Sequence, residues 1–159
     1  MLLPIIRLCI RALPFFYMLI IWIQSSYFNP NSLEGIHLQI GIPIFVILGV
    51  VFEIGHLFQF AILYFLLIMA FLTYGRLNSV KEMVAFIIAL LYGILDEVHQ
   101  IYVPFRSFSI IDLIKDAVGI IVIWFIIHKH YYKNDGSKIQ RFLTGITNVY
   151  KKEDSNFPV

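Results

Sequence analysis

Charge is what this chain has least of. Asp, Glu, Lys and Arg together fill 14% of 159 positions, where a soluble domain carries about a quarter. With 60% of residues hydrophobic and a mean hydropathy of +0.84, too little polar surface remains to cover a globule in water. The expected solvent is lipid. A lone cysteine, Cys9, excludes an intramolecular disulfide framework and a cysteine zinc site. It does not read as a lipoprotein cysteine either, because Ile6-Arg7-Leu8-Cys9 lacks small residues and a preceding apolar stretch. No GxxxxGK[ST] loop is present to hold phosphates, so Asp96-Glu97-Val98-His99 is not a helicase box. No HExxH marks a zincin. No cofactor, no resident metal and no nucleic-acid partner is expected.

What is present is a series of apolar runs long enough for one all-α bundle. Residues 12–28 form a first span, closed by the turn chemistry of Asn29-Pro30-Asn31-Ser32. Arg7 and Arg11 before it resemble a signal-peptide start, but the further apolar runs favour an uncleaved span. Residues 36–75 are uncharged except for Glu53, too long for one span and marginal for two. Dividing them at Glu53 and His56 gives a short re-entrant or interfacial segment, 40–52, and a second span, 57–75. A capping-box pattern, Ser79-Val80-Lys81-Glu82, opens a third span, and Pro104 stops it. A second such pattern, Ser109-Ile110-Ile111-Asp112, opens the fourth, which ends near Ile127. Four spans place Arg7, Arg11, Arg76, Lys81 and the basic residues after Ile127 on one side, as the positive-inside rule expects. Five would send the basic tail outside. Within that tail Ile139, Phe142, Leu143, Ile146, Val149 and Tyr150 recur at helical spacing. An amphipathic helix on the inner membrane surface and a loosely ordered tail both fit.

The remaining acids fall at telling depths. The uncharged run 83–95 lifts Asp96 about 20 Å above the inner face at helical rise, and 117–127 lifts Asp116 about 16 Å. The hydrocarbon core is about 30 Å thick, so Asp96, Glu97 and Asp116 share a level below the outer boundary. Asp112 lies one turn higher, Gln100 one turn above Asp96, and His56 at the outer mouth of its own span. Glu53, His99 and Arg106 crown the group. Ionisable residues inside a membrane usually face a bundle interior or a wet cavity. Arg106, Lys115 and His56 are the available partners; otherwise the carboxyls must share protons or touch water. Plainer readings stand beside this one. Asp112 caps its helix, Lys115 snorkels outward, and His99 and Arg106 mark a wet loop. For Asp96 and Glu97 the plain reading is poor.

These residues carry a resemblance. Asp96-Glu97-Val98-His99-Gln100, then Val103-Pro104-Phe105-Arg106, then Asp112, Asp116 and Gly119 look like the signature of VanZ-like membrane proteins. Ser25-Ser26 closing the first span, and His56 with Phe60 four residues on, match as well. The chain departs from the family pattern at Glu53, where a lysine is common, at Phe105, and at Asp116, where asparagine is frequent. The resemblance implies a multi-pass protein of the bacterial cytoplasmic membrane with both termini cytoplasmic. Residues 1–127 would be the VanZ-like domain and 128–159 a basic tail. It also implies a cell-envelope function, since the named member of the family lowers susceptibility to teicoplanin.

The expected site is therefore His56, Asp96, Glu97, Gln100, Arg106, Asp112 and Asp116, with no catalytic role assigned to any of them. Three functions fit. The first is binding at the outer leaflet of a lipid-tailed glycopeptide or a lipid-linked cell-wall intermediate. The second is a membrane enzyme using Glu97 or Asp96 as general base. The third is a small proton-coupled transporter, which four spans without an internal repeat would serve only as a homo-oligomer. Topology tests the frame. A reporter active only outside the membrane should stay silent at Ser79 or Lys133 and be active at Asn31 or Ser107; activity at Lys133 would require five spans or an inverted chain.

Overall fold

The computed structural model describes residues 2–27, 43–104, 106–133 and 136–154, with side chains described at 4–27, 55, 57–104, 106–133 and 136–147. All regular structure among these residues is helical. The helices are α1 (Leu2–Tyr27), α2 (Pro43–Leu72), α3 (Ser79–Gln100), α4 (Ile110–Tyr132) and α5 (Lys138–Asp154).

Two boundaries differ from expectation. α1 begins at Leu2 rather than near residue 12, so Arg7 and Arg11 ride on the helix instead of preceding it. α2 runs unbroken for 30 residues through Glu53 and His56. The separate segment expected at 40–52 is therefore not a separate element over residues 43–52; residues 40–42 and the turn at 29–32 lie outside the described residues. Glycine inside a helix costs only about 1 kcal/mol against alanine. Gly49 and Gly55 flanking one acid thus make a weak break, and packing on four neighbours outweighs it.

α2 is the post of the bundle and packs against α1, α3, α4 and α5. Its Phe60, Leu63, Tyr64, Leu67, Ile68 and Leu72 form the core with Ile21 of α1, Ala85 and Ala89 of α3, Ile120 and Ile127 of α4, and Leu143 and Ile146 of α5. Small residues on α3, at Ala85, Ala89 and Gly93, recur every fourth position on its buried face, which lets helix backbones approach closely. The tightest approach is between α2 and α4. A Cβ built on Gly119 would collide with the Leu57 carbonyl oxygen and crowd Ala61 Cβ at 3.4 Å.

The end of α2 is closed by cations from two other places in the chain. Arg11 donates from Nε to Thr73 Oγ1 (2.9 Å) and from Nη2 to the Thr73 carbonyl (3.2 Å), with its guanidinium 3.8 Å from the Tyr74 ring centroid. Lys81 Nζ donates to the carbonyls of Phe71, Tyr74 and Arg76. Tyr131 Oη accepts the Leu77 N–H at 3.1 Å, and Gly75, at φ 110°, makes the turn that follows. Positive charge at a helix C-terminus also suits its dipole. Arg11 and Lys81, read from sequence only as topology signals, therefore fasten the chain at one end of the bundle.

α3 and α4 are inverted relative to helices of a water-soluble core. α3 exposes Val80, Met83, Val84, Ile87, Leu91, Ile94, Leu95 and Val98, while Glu82, Asp96, Glu97 and Gln100 are buried. α4 exposes Ile110, Ile111, Ile114, Val118, Ile121, Val122 and Phe125, and buries Asp116. By length and composition one described helix, Pro4–Tyr27, suffices to cross a membrane, and Leu57–Leu72 is a shorter apolar stretch. Composition among the described residues thus supports one span where the sequence division expects four; α3 carries Lys81, Glu82, Asp96 and Glu97, and α4 carries Asp112, Lys115, Asp116 and Lys129. The tail forms a helix, α5, with Leu143 and Ile146 in the core and Phe142 stacked on Phe65 of α2.

Gly119 gives a direct test of this packing. Gly119→Ala should lower the thermal midpoint of the detergent-solubilised protein, with an overpacking cost of about 1–3 kcal/mol. Gly145→Ala, which meets nothing within 4 Å, should leave the midpoint level or raise it. Equal midpoints for the Gly119 variant and the parent would refute the close α2–α4 contact.

Candidate functional site

The site is built where the end of α3 meets the start of α4. Asp96 and Glu97, adjacent in sequence, are both inside the bundle, 2% and 0% exposed. Gln100, one turn beyond Asp96, donates from Nε2 to Asp96 Oδ2 at 2.9 Å. Glu97 reaches across to the next helix and accepts the Ser109 N–H on Oε2 at 2.8 Å.

Ser109 is the N-cap of α4, as its pattern predicts, and its Oγ accepts the Asp112 N–H at 3.2 Å. In a capping box the acid three residues on would return to the Ser109 N–H. Here Glu97 supplies that carboxylate from the neighbouring helix, and Asp112 turns instead to Lys115 Nζ at 2.8 Å. Lys115 thus reaches back one turn along its own helix to a partly exposed carboxylate, which is compatible with the outward snorkelling expected of it. The other expected capping box is also shifted. Asn78, not Ser79, caps α3, its side chain accepting the Lys81 N–H at 2.9 Å. Asparagine serves as well as serine at that position, so the register moved by one and Glu82 was released for another partner.

Asp116, one turn along α4 from Asp112, is 1% exposed. Its Oδ2 lies 3.5 Å from where a Cβ on Gly93 would stand, at ordinary van der Waals distance from the buried face of α3. Asp116 sits within electrostatic reach of Asp96, Glu97, Asp112 and Lys115, and Glu97 within reach of Arg106. Six of the seven residues expected from sequence are thus brought to one corner of the bundle: Asp96, Glu97, Gln100, Arg106, Asp112 and Asp116. The seventh, His56, has its side chain outside the described residues, as does Glu53. The backbone of α2 puts His56 next to Leu57, whose carbonyl abuts Gly119 one turn from Asp116.

Asp96 Oδ1 and Glu97 Oε1 are among the buried oxygens of this corner that have no hydrogen-bond partner among the described residues. A carboxylate oxygen left so is costly unless it is protonated or meets a donor. No group of three or more His, Cys, Asp or Glu among the described residues is arranged to hold a metal ion. The chemistry on offer is acceptance of hydrogen bonds and sharing of protons.

His99 does not mark a wet loop. It stacks on Trp22 of α1, with centroids 3.8 Å apart. Ser26 Oγ gives its proton to the Trp22 carbonyl (2.7 Å), and so receives one from His99 Nε2 at 2.9 Å. With Tyr92 Oη donating to the Met18 carbonyl at 2.6 Å, this ties α1 to α3 beside the acids. Sequence reasoning missed Ser109 as the partner of Glu97. It also missed a second polar group at the opposite end of α3, where Glu82 Oε2 accepts from His128 Nδ1 at 3.0 Å.

The fold and the site define a helical bundle with carboxylates sunk beneath an apolar exterior. The chain belongs to the VanZ/LLP1 family, whose model matches residues 7–131. The family assignment and the apolar helix Pro4–Tyr27 are consistent with a membrane protein. No curated protein and no solved structure shows significant similarity to the chain.

The cross-helix cap can be tested by stability. Ser109→Ala keeps the N–H that Glu97 accepts and should cost about 1 kcal/mol, the usual price of a lost N-cap. Glu97→Ala strands that N–H and should cost about 1–3 kcal/mol. A Glu97→Ala protein with the parent's thermal midpoint would mean that the bond to Ser109 contributes nothing.

Proposed function

We propose that the chain is a four-span protein of the bacterial cytoplasmic membrane, with α1 to α4 crossing and both termini cytoplasmic. Its acidic corner, at the level of the outer leaflet, binds cationic or hydrogen-bond-donating groups of lipid-tailed cell-wall intermediates or of teicoplanin-like glycopeptides. The effect is lowered susceptibility to such antibiotics. Support for the spans comes from the inversion of α3 and α4: large apolar side chains outside and carboxylates inside suit a lipid solvent and would be unfavourable in water. Support for the orientation comes from the basic residues. Arg11, Arg76, Lys81 and Lys129 gather at one end of the bundle, and Asp96, Glu97 and Asp112 lie towards the other. α5 then lies at the cytoplasmic face as the basic tail, with Leu143 and Ile146 turned to the core.

The observation that carries the binding role is a pair of acceptors, Asp96 Oδ1 and Glu97 Oε1, that have no hydrogen-bond partner among the described residues. Buried acceptors without donors suit a ligand that brings donors with it, such as an amine or a sugar hydroxyl.

Glu97→Gln and Asp96→Asn keep shape and hydrogen-bonding capacity but remove charge. Each should abolish glycopeptide tolerance in cells while leaving the amount of protein in the membrane unchanged. Lys129→Gln, in the solvated basic end, should do neither. Loss of the protein itself would assign Glu97 a structural part, since unpairing a buried charge typically costs about 3–5 kcal/mol. Full tolerance in both variants would remove the acidic corner from the mechanism.

A further inference from the structure

The buried face of α3 carries a second polar group, far from the acidic corner. Glu82, in the first turn, is 3% exposed, yet Oε1 has no hydrogen-bond partner among the described residues. Its other oxygen accepts from His128 Nδ1 of α4 at 3.0 Å. Behind it Tyr64 of α2 is fully buried, and its hydroxyl also lacks a partner. The His128 ring is flanked by Trp124 and Tyr132, with centroids 5.4 and 4.8 Å away.

Glu82 and His128 stand at the head of a groove between α3 and α4. Its walls are Met83, Phe86, Ile87, Ile121 and Trp124, and its volume is about 610 Å³. Sites that hold small ligands run to about 300–1,000 Å³ and combine apolar walls with a few placed polar groups. This groove has that composition, with an anionic acceptor at one end and a run of apolar surface leading away from it.

We propose that this groove is a binding site for one membrane phospholipid with a primary-amine head group, at the leaflet opposite the acidic corner. The ammonium pairs with the carboxylate of Glu82, which lines the head of the groove. One acyl chain lies along Met83, Phe86, Ile87 and Ile121. Amine lipid is favoured over anionic lipid by charge complementarity: a phosphoglycerol head group brings no cation to a buried carboxylate. The site rests on the membrane-spanning reading of α3 and α4 but not on the role given to Asp96 and Glu97.

The test uses the full chain, extracted in mild detergent from vesicles holding equal parts phosphatidylethanolamine and phosphatidylglycerol with identical chains, and reads the retained lipid by native mass spectrometry. The parent should retain the ethanolamine lipid at about a ten-fold excess over the glycerol lipid. Glu82→Gln should bring the ratio to near one. Ile87→Trp, which fills the groove from its exposed wall and leaves Glu82 in place, should lower retention of the ethanolamine lipid alone. Asp96→Asn should leave the ratio unchanged. Phospholipid retained without head-group preference by the parent would overturn the proposal while leaving the membrane reading standing. So would a preference that survives both Glu82→Gln and Ile87→Trp. Absence of any retained phospholipid would overturn both.

Discussion

Burial of charge beneath an apolar exterior governs this structure. Along α3 and α4 the side chains that face outward are Ile, Val, Leu, Met and Phe, so each polar group between the helix ends must find its partner inside. Desolvated carboxylates are tolerated only with hydrogen bonds, cations or shared protons. The bundle supplies these from its own chain ends and neighbours. Gln100 serves Asp96, Ser109 serves Glu97, Lys115 serves Asp112 and His128 serves Glu82. Each pairing consumes one carboxylate oxygen. The second oxygens of Asp96, Glu97 and Glu82 are left over, and these define where the interior remains chemically open.

The same constraint explains why α2 is long, apolar and central. Among its described residues α2 buries mostly hydrocarbon, at Phe60, Leu63, Leu67, Ile68 and Leu72, with Gln59 and Tyr64 as its buried polar side chains. The buried acids lie instead on α3 and α4, towards the two ends of α3. A small residue fixes how closely α4 approaches α2. Gly119 lets α4 rest on the Leu57 carbonyl. It acts through a missing side chain rather than through backbone freedom, since it is not at positive φ.

Much of this was legible in the sequence, and the exceptions share a cause. Depth along a helix is simple arithmetic, so Asp96, Glu97 and Asp116 were expected at one level and are found in one corner. Facing is harder to read. In a helix that is apolar all round, periodicity does not say which side is buried, and the burial of Glu82 went unseen because a serine three residues earlier offered it a cap. The break expected at Glu53 and His56 failed for a related reason. A polar pair inside an apolar run resembles a loop when local propensity is the guide, whereas α2 packs against four other helices of the bundle. Capping patterns did better where the next helix did not intervene: Ser109 is a cap as expected, but the identity of its reciprocal acid, Glu97, is a fact of the assembled bundle. The family signature added what periodicity lacked, since it joined the acids of α3 to those of α4 before any contact between them was known.

The two open places on α3 are joined by one rigid element and separated by distance. From Glu82 to Asp96 the helix rises about 21 Å. Between them its buried face presents Ala85, Ala89 and Gly93, with Phe60 and the Asp116 carboxylate packed at the Gly93 level. Charges that far apart, with packed hydrocarbon between them, act as independent sites, and side chains more than about 7–10 Å apart without shared partners contribute additively. Among the described residues the buried polar side chains of α3 thus gather at its two ends, with Asp116 of α4 reaching the Gly93 level between them. Binding at each end, as proposed above, needs no polar path joining the two.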